Sequence, residues 1–334
     1  MILHGPILYG ANFLKRETHS PLQLPSSAFS NIAISELFSA IRKKKKKCSL
    51  LSLSMEFVLD KDQHIHDECS TLILPALSIG NVGQLAIDLL VSSSRAERIG
   101  YLDDSSVLPC VGNDAYAPVP QGVLALPLEA YESLSNALTL VQQRSPIVKG
   151  MMIEFAKNLA DFAATNGKKH VVVLSSLDSG RRQKIDMSSG TQIYYLSSTS
   201  PDGTDDHCEK LGWKVLQEYN IDQRRWKLLS SLAEGNSSED ASLFEDELLD
   251  EDYYPSLPFA AFFSCCKAKG LKVTCVLSYC SEGDNIADSL QMADAVCKLL
   301  GLNPKKLSGN EGSGWLIPPS WKTVYGPPSD MSLY

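Results

Sequence analysis

The pattern of apolar and polar positions divides the chain into short strands and amphipathic helices from about residue 69 onward. An apolar run at Leu72–Leu77 has the length of a buried strand, and from Gln84 the apolar residues fall at helical spacing. Gly80 and Gly83 lie between these two patterns and mark a turn. The order strand, glycine turn, helix is typical of the opening unit of an α/β domain.

The same alternation continues along the chain. Further strands are predicted at Arg98–Leu102, 123–128, 138–142, His170–Leu174, Ile193–Leu196 and Leu271–Tyr279, and helices at 148–165, 258–269 and 286–300. The pattern of Trp213–Tyr219 fits a strand or a helix. Alternating strands and helices predict an α/β fold, a three-layer sandwich whose mixed, mainly parallel sheet lies between helices. We expect one such domain over residues 69–325.

Charge is distributed unevenly around the net value of −8. Residues 1–54 hold eight basic and two acidic side chains, a net +6, so 23 basic and 37 acidic side chains, a net −14, remain for residues 55–334. Because nucleic acid is bound largely through Lys and Arg contacts to phosphate, we predict no nucleic-acid partner for the acidic residues 55–334. No apolar run approaches the ~18–20 residues of a membrane span, so no membrane partner is expected.

Three segments differ in composition from the predicted domain. Residues 1–54, with the run Lys43–Lys47, are interpreted as a disordered or doubtful leader; nuclear targeting and an organelle leader stay open as alternatives. The stretch 234–254 holds nine acidic and no basic side chains. It predicts a mobile loop, or alternatively an acidic surface for a basic partner. Residues 326–334 form a C-terminal tail.

Candidate chemistry is sparse. The turn Gly80–Gly83 could hold an anion at a helix N-terminus, but it lacks the G-x-G-x-x-G pattern of dinucleotide sites. We therefore favour a packing role, and keep a small-molecule or nucleotide-binding α/β enzyme as the alternative. The serines of Ser175–Ser179 lack a G-x-S-x-G elbow, and His207 is the one histidine left as their partner. We expect no catalytic residue and no cofactor.

Carboxylates and cysteines do not change this interpretation. Glu282 and Asp284 could form an acid/base pair, but Asp284 or Asn285 more simply caps the helix that begins at Ile286. The nine cysteines include no C-x-x-C pair, which predicts buried free thiols in a reducing compartment and no metal site. Leu333 and Tyr334 could bind in a pocket of another protein, or belong to a frayed end.

Six blocks in this order resemble the proteasome assembly chaperone 2 family of eukaryotes. They are Leu74–Leu90, Gly100–Leu102, Val111–Asn113 with Tyr116, Val171–Ser176, Ser281–Ile286 and Ile317–Trp321. The signature residues of the resemblance are Gly80, Asn81, Gly83, Glu282, Gly283, Asp284 and Asn285.

The resemblance implies a nucleoside-phosphorylase-like architecture without an active site. It implies a non-enzymatic chaperone that forms a heterodimer with proteasome assembly chaperone 1. That heterodimer would bind 20S proteasome α subunits, promote α-ring formation and prevent off-pathway α-ring dimerisation, in cytoplasm and nucleus. Some members carry a hydrophobic–tyrosine–any-residue tail that enters pockets between α subunits. Leu333–Tyr334 is one residue short of that pattern.

Overall fold

A computed structural model describes residues 55–119, 123–181, 193–235, 257–307 and 314–321, which form a mixed sheet flanked by helices. The strands are β1 Glu56–Leu59, β2 Thr71–Pro75, β3 Glu97–Asp103, β4 Gly112–Asn113, β5 Leu124–Ala125, β6 Leu128–Ser133, β7 Leu138–Gln143, β8 His170–Asp178, β9 Ile193–Ser197, β10 Lys214–Val215 and β11 Lys272–Cys280. The helices are α1 Val82–Ser94, α2 Met152–Thr165, α3 Asp206–Lys210, α4 Arg224–Ala233, α5 Leu257–Ala268, α6 Ile286–Leu300 and α7 Pro304–Leu307.

The main sheet has nine strands in the order β1-β3-β6-β7-β2-β8-β11-β9-β10. Its centre is parallel, because β2 pairs in parallel with β7 and β8, and β8 pairs in parallel with β11. Antiparallel pairs lie on both sides of this centre, at β1–β3–β6–β7 and at β11–β9. The predicted fold class, an α/β fold with a mixed sheet between helices, is confirmed.

Successive residues of the central strands point to opposite faces of the sheet, as the two-residue period of a strand requires. Leu72 and Leu74 belong to the core on one face, together with α2, α4 and α5. Ile73 belongs to the core on the other face, together with α1 and α6. Both faces are thus buried, which explains why the central strands read as continuous apolar runs.

The helix α6 ends where its sequence predicts. Gly301 has a φ of +66°, and Leu302 N donates to Cys297 O at 2.8 Å, which is the hydrogen bond of a glycine-terminated helix. The amphipathic pattern of residues 286–300 therefore has a clear stop. None of the helices in the described ranges is long and apolar enough to cross a membrane.

Two strand predictions change. The strand before β7, and its partner in the sheet, is β6, residues 128–133, which shares only Leu128 with the predicted strand 123–128. Leu124–Ala125 pairs instead with Gly112–Asn113 in a separate two-stranded sheet. The ambiguous run after Trp213 contains the short strand β10. The leader 1–54, residues 236–254 of the acidic stretch and the tail 326–334 lie outside the described residues.

Candidate functional site

The signature residues form two groups, Gly80–Gly83 and Glu282–Asn285, which we call the two signature blocks. They meet at the carboxyl ends of the parallel strands, although about 200 residues separate them in sequence. Gly80 has a φ of +64°, which favours glycine, and its Cα faces the Asn285 side chain so closely that a Cβ would collide with it. Asn285 is 3% exposed. Gly80 and Asn285 therefore form a direct packing contact between the start of α1 and the start of α6.

Gly83 brings α1 against the sheet. A Cβ at this position would lie 2.5 Å from Leu174 O and 3.3 Å from Pro75 Cβ. Real Cβ atoms do not approach a carbonyl oxygen so closely, so a larger residue would push α1 away from β2 and β8. The packing role predicted for this glycine is confirmed.

Hydrogen bonds at this edge hold the turn in place. Ile79 O accepts from Ser176 Oγ and, at 3.4 Å, from Cys280 Sγ. Asp284 Oδ1 accepts from Ile286 N at 3.1 Å and so satisfies the first N–H group of α6, whereas the N-cap residue Asn285 makes no side-chain capping bond. The Nδ2 of Asn285 donates to Ser281 O at 2.9 Å and to Asp288 Oδ2 at 3.2 Å. The carboxylates of Asp284 and Asp288 would repel an anion bound here.

Of the other groups considered for catalysis, Ser176 and His207 bond to separate backbone carbonyl groups, and Ser175 Oγ has no hydrogen-bond partner among the described residues. Ser175 is fully buried, and Ser176 donates to the turn before α1. His207 Nε2 lies 3.0 Å from Leu299 O, near the end of α6. Within the described ranges, no three His, Cys, Asp or Glu side chains are placed to hold a metal ion.

A buried carboxylate, Asp88, joins three of the sequence blocks. Its Oδ1 accepts from Tyr116 OH at 2.6 Å, from Gln142 Nε2 at 2.6 Å and from Arg144 NH2 at 3.1 Å. Its Oδ2 accepts from Trp321 Nε1 at 3.5 Å. Asp88 thereby connects α1 to the loop before Tyr116, to β7 and to the segment 314–321.

A chain of ion pairs connects this cluster to the β1 edge of the sheet. Arg144 Nε donates to Glu129 Oε2 at 3.1 Å, Arg98 NH1 donates to Glu129 Oε1 at 3.1 Å, and Arg98 Nε donates to Asp60 Oδ2 at 2.7 Å. Burial alone would lower the pKa of Arg144, but Asp88 and the other acidic groups around it raise that pKa well above its usual value. Arg144 is therefore a permanently charged link between two buried carboxylates.

Tyr116 completes the cluster as a neutral donor. Its burial, and then the neighbouring charge of Asp88, raise the pKa of its hydroxyl well above the usual value. Sequence reasoning missed Asp88, Glu129 and Arg144. The available signal was Asp88 itself, a carboxylate among the apolar residues of a helix predicted to be buried.

A second buried ion pair lies at the amino ends of β2 and β8. Lys168 Nζ donates to Cys69 O at 2.7 Å, to Thr139 Oγ1 at 2.7 Å and to Glu132 Oε1 at 3.3 Å. The Nδ1 of His66 lies 2.8 Å from Glu132 Oε2. The Lys168 ammonium group is thus satisfied by three acceptors, as a buried charge requires.

The cysteines of the described ranges are free thiols, as predicted. Burial raises the pKa of Cys69 to about 11 and that of Cys208 to about 12. Thiols with such values are poor nucleophiles at neutral pH. The predicted partner-binding residues Leu333 and Tyr334 lie outside the described residues.

Comparisons with known proteins agree with one another on family and fold. Residues 72–308 match the model of the PAC2 family. The chain is 37% identical over 227 residues to a protein named proteasome assembly chaperone 2 from Nematostella vectensis, covering 66% of this chain and 85% of that relative. A protein of the same name from Danio rerio is 31% identical over 261 residues, covering 77% of this chain and 91% of the relative.

Among solved structures, Pyrococcus furiosus PbaB, described as an archaeal proteasome activator, superposes with a TM-score of 0.50 at 17% identity. The superposition covers 75% of this chain and 91% of that chain. Identity this low shows a shared fold alone.

Proposed function

The chain belongs to the PAC2 family, and on that premise we propose that it is a chaperone of proteasome assembly that acts by binding. The observation that carries the proposal is the 37% identity over 227 residues to a protein named proteasome assembly chaperone 2. The family match, residues 72–308, includes Gly80–Gly83 and Glu282–Asn285. The geometry supports a binding role, since Gly80, Gly83 and Asn285 serve packing and the candidate serine and histidine have separate partners.

In its finer form, the proposal gives the chain two kinds of partner. It forms a heterodimer with proteasome assembly chaperone 1, and the heterodimer binds α subunits of the 20S proteasome, promotes α-ring formation and prevents off-pathway pairing of α rings. This work takes place in cytoplasm and nucleus. The described fold supports such a role because it is held rigid by the Asp88 cluster, and a rigid surface loses little conformational entropy on binding.

Co-purification tests the proposal. The tagged chain is co-expressed with proteasome assembly chaperone 1 and α subunits of the same organism, and the retained chains are identified by mass spectrometry. We expect the sister chaperone in about equimolar amount and α subunits in addition. Retention of neither partner would refute the proposed function.

We extend the proposal to the tail, where Leu333 and Tyr334 enter a pocket of the α ring. An apolar side chain next to an aromatic side chain can fill a pocket of a partner protein. Deletion of both residues should weaken α-ring binding about tenfold or more while the heterodimer stays intact. Unchanged affinity for the ring would show that the tail has no docking role.

One observation favours a second candidate, a small-molecule ligand near the Gly80–Gly83 turn. Three buried oxygens of this edge, Ser78 Oγ, Ser278 Oγ and Asn285 Oδ1, have no hydrogen-bond partner within the described ranges. A thermal-shift screen with nucleotides, nucleosides and phosphate tests this candidate, because any ligand of the native state raises the melting temperature. A clear rise in melting temperature with one compound would favour a ligand site over a role in packing alone.

A further inference from the structure

We propose that five exposed apolar side chains beside the β1 edge of the sheet form the surface that binds the partner chaperone, a second chain of the same fold. This apolar platform consists of Leu59, Leu108, Val111, Val123 and Leu124, which are 42–55% exposed. The inference rests on the proposed function and deepens it, since it assigns the heterodimer contact to particular residues.

The platform is continuous across two elements. Arg98 Nε donates to Asp60 Oδ2 at 2.7 Å, and Arg98 NH1 donates to Leu124 O at 2.9 Å. One guanidinium group therefore holds the end of β1, next to Leu59, beside β5. Val111 lies next to β4, which pairs with β5. The exposed side chains thus belong to one region of the surface, as an interface core requires.

The backbone beneath the platform is held firmly. Leu108 N donates to Pro146 O at 2.9 Å, and Val107 forms an isolated bridge with Ile147. Tyr116 OH is bound to Asp88 in the buried cluster. Because these hydrogen bonds hold the loop, its apolar side chains are not exposed through fraying of the backbone. Its rigidity lowers the entropic cost of binding.

Charge is almost absent from the loop and β5 part of the platform, whereas Leu59 on β1 is followed by Asp60, Lys61 and Asp62. Described residues 105–119 and 123–128 contain one charged side chain, Asp114, in a chain that is 21% charged. The Asp114 carboxylate accepts from Tyr116 N at 2.9 Å, so it is used locally. Depletion of charge marks the core of a protein–protein interface and fits a neutral, apolar partner surface.

The sheet edge points to a partner of the same fold. The strand β1 ends the order of the sheet, and within the described ranges only β3 pairs with it. Edge strands leave backbone N–H and C=O groups available to a neighbouring chain. A chain with the same fold presents the equivalent edge and neighbouring loop, so two such chains can meet through matching surfaces, as in two-fold symmetric dimers.

Paired substitutions test the platform. The variant Val111→Asp/Leu124→Asp places two charges in the proposed interface. The control Leu134→Asp/Ile221→Asp places two charges outside the platform, at apolar side chains that are 56% and 45% exposed. Affinity for purified proteasome assembly chaperone 1 is measured for each full-length chain. We expect a loss of about 100-fold or more for the platform variant and less than about threefold for the control. Equal melting temperatures show that both variants are folded.

Each outcome that contradicts the proposal leads to a different conclusion. If the wild-type chain does not bind proteasome assembly chaperone 1, the heterodimer part of the proposed function fails. If the wild type binds and the platform variant binds equally well, or both variants lose affinity alike, the assignment of the surface is wrong and the proposed function stands. Self-association of the wild type that the platform variant abolishes would make a second copy the occupant and overturn the assignment. Loss of α-subunit binding with intact heterodimer would overturn it as well.

Discussion

Gly83 sits on α1 at a point where the helix touches the backbone of β8. A glycine-to-alanine change inside a helix normally stabilises a protein by about 1 kcal/mol. Here the added methyl group would lie 2.5 Å from Leu174 O, so we expect Gly83→Ala to lower the free energy of unfolding by about 1–3 kcal/mol. Urea denaturation followed by circular dichroism measures the change.

The matched control is Gly314→Ala. Among the described residues, no atom lies within 4 Å of a Cβ placed at Gly314, so this change should alter stability by no more than about 0.5 kcal/mol. If Gly83→Ala proved as stable as the control, the close approach of α1 and β8 would not constrain the sequence.

Asp88 makes the second residue-scale prediction. Asp88→Asn removes the charge that faces Arg144 while keeping the shape of the side chain. Because a buried guanidinium group then loses one of its carboxylates, we expect a loss of about 3 kcal/mol in the free energy of unfolding. The measurement is again urea denaturation of the purified chain.

Asp222→Asn provides the comparison. Asp222 pairs with Lys227 at 3.2 Å, but both side chains are exposed, and such pairs contribute ~0–1 kcal/mol. Similar small effects at both positions would mean that burial does not strengthen the Asp88 cluster.

At the scale of elements, apolar pattern predicted most of the central structure. Apolar runs or helical spacing placed the strands β2, β8 and β11 and the helices α1, α5 and α6, although β8 extends to Asp178, beyond its predicted end at Leu174. The strand β6 was misplaced because Glu129 and Glu132 interrupt its apolar pattern, although all six of its residues are buried. Ion pairs with Arg98 and Arg144, and with Lys168, make that burial possible, and a local pattern contains no information on them.

The segment 314–321 is a short element held by side-chain anchors. Trp315 Nε1 donates to Asp294 Oδ1 at 2.9 Å, Leu316 N donates to Ser93 Oγ at 2.9 Å, and Trp321 is 2% exposed. We expect Trp321→Ala to cost about 3–5 kcal/mol and to speed hydrogen exchange of Leu316 N and Ser320 N. Hydrogen exchange with mass spectrometry provides the measurement.

Trp321→Phe separates the ring from its N–H group. Phenylalanine keeps most of the apolar area and loses only the donor to Asp88, so a cost of about 1 kcal/mol is expected. If the alanine variant exchanged no faster than the phenylalanine variant, packing of the ring would not be what holds the segment.

At the scale of the whole molecule, the sequence identified the blocks of the resemblance but not which of their residues contact one another in the fold. The contact of Gly80 with Asn285 depends on β2 and β11 both lying next to β8, and this strand order follows from the complete topology. The Asp88 cluster likewise joins residues from four separate parts of the chain. Such long-range geometry has no local signal.

Acid stability of the fold depends in part on His170, at the amino end of β8. Its Nε2 lies 2.9 Å from Thr274 Oγ1, and burial, then the charge of Lys272, lower its pKa from 6.5 to about 4. Between pH 6.5 and 4 the unfolded chain binds a proton that the folded chain does not. Stability contributed by the neutral ring is therefore present above pH 6.5 and is lost as pH falls, by at most about 3 kcal/mol.

The variant His170→Gln isolates this effect. Glutamine can still reach Thr274 but cannot take up a proton, so the loss of stability between pH 7 and 4 should be smaller than in the wild type by about 2–3 kcal/mol. Urea titrations at several pH values measure the difference. Parallel curves for the two chains would assign the acid sensitivity to other groups.

The contact between Asp88 and Trp321 has a consequence for synthesis on the ribosome. The two residues are 233 positions apart, so α1 is made long before the tryptophan that covers its carboxylate. Until residue 321 has left the exit tunnel, that side of α1 lacks its cover. We therefore expect the nascent chain to complete the packing around Asp88 only after residue 321 has left the tunnel.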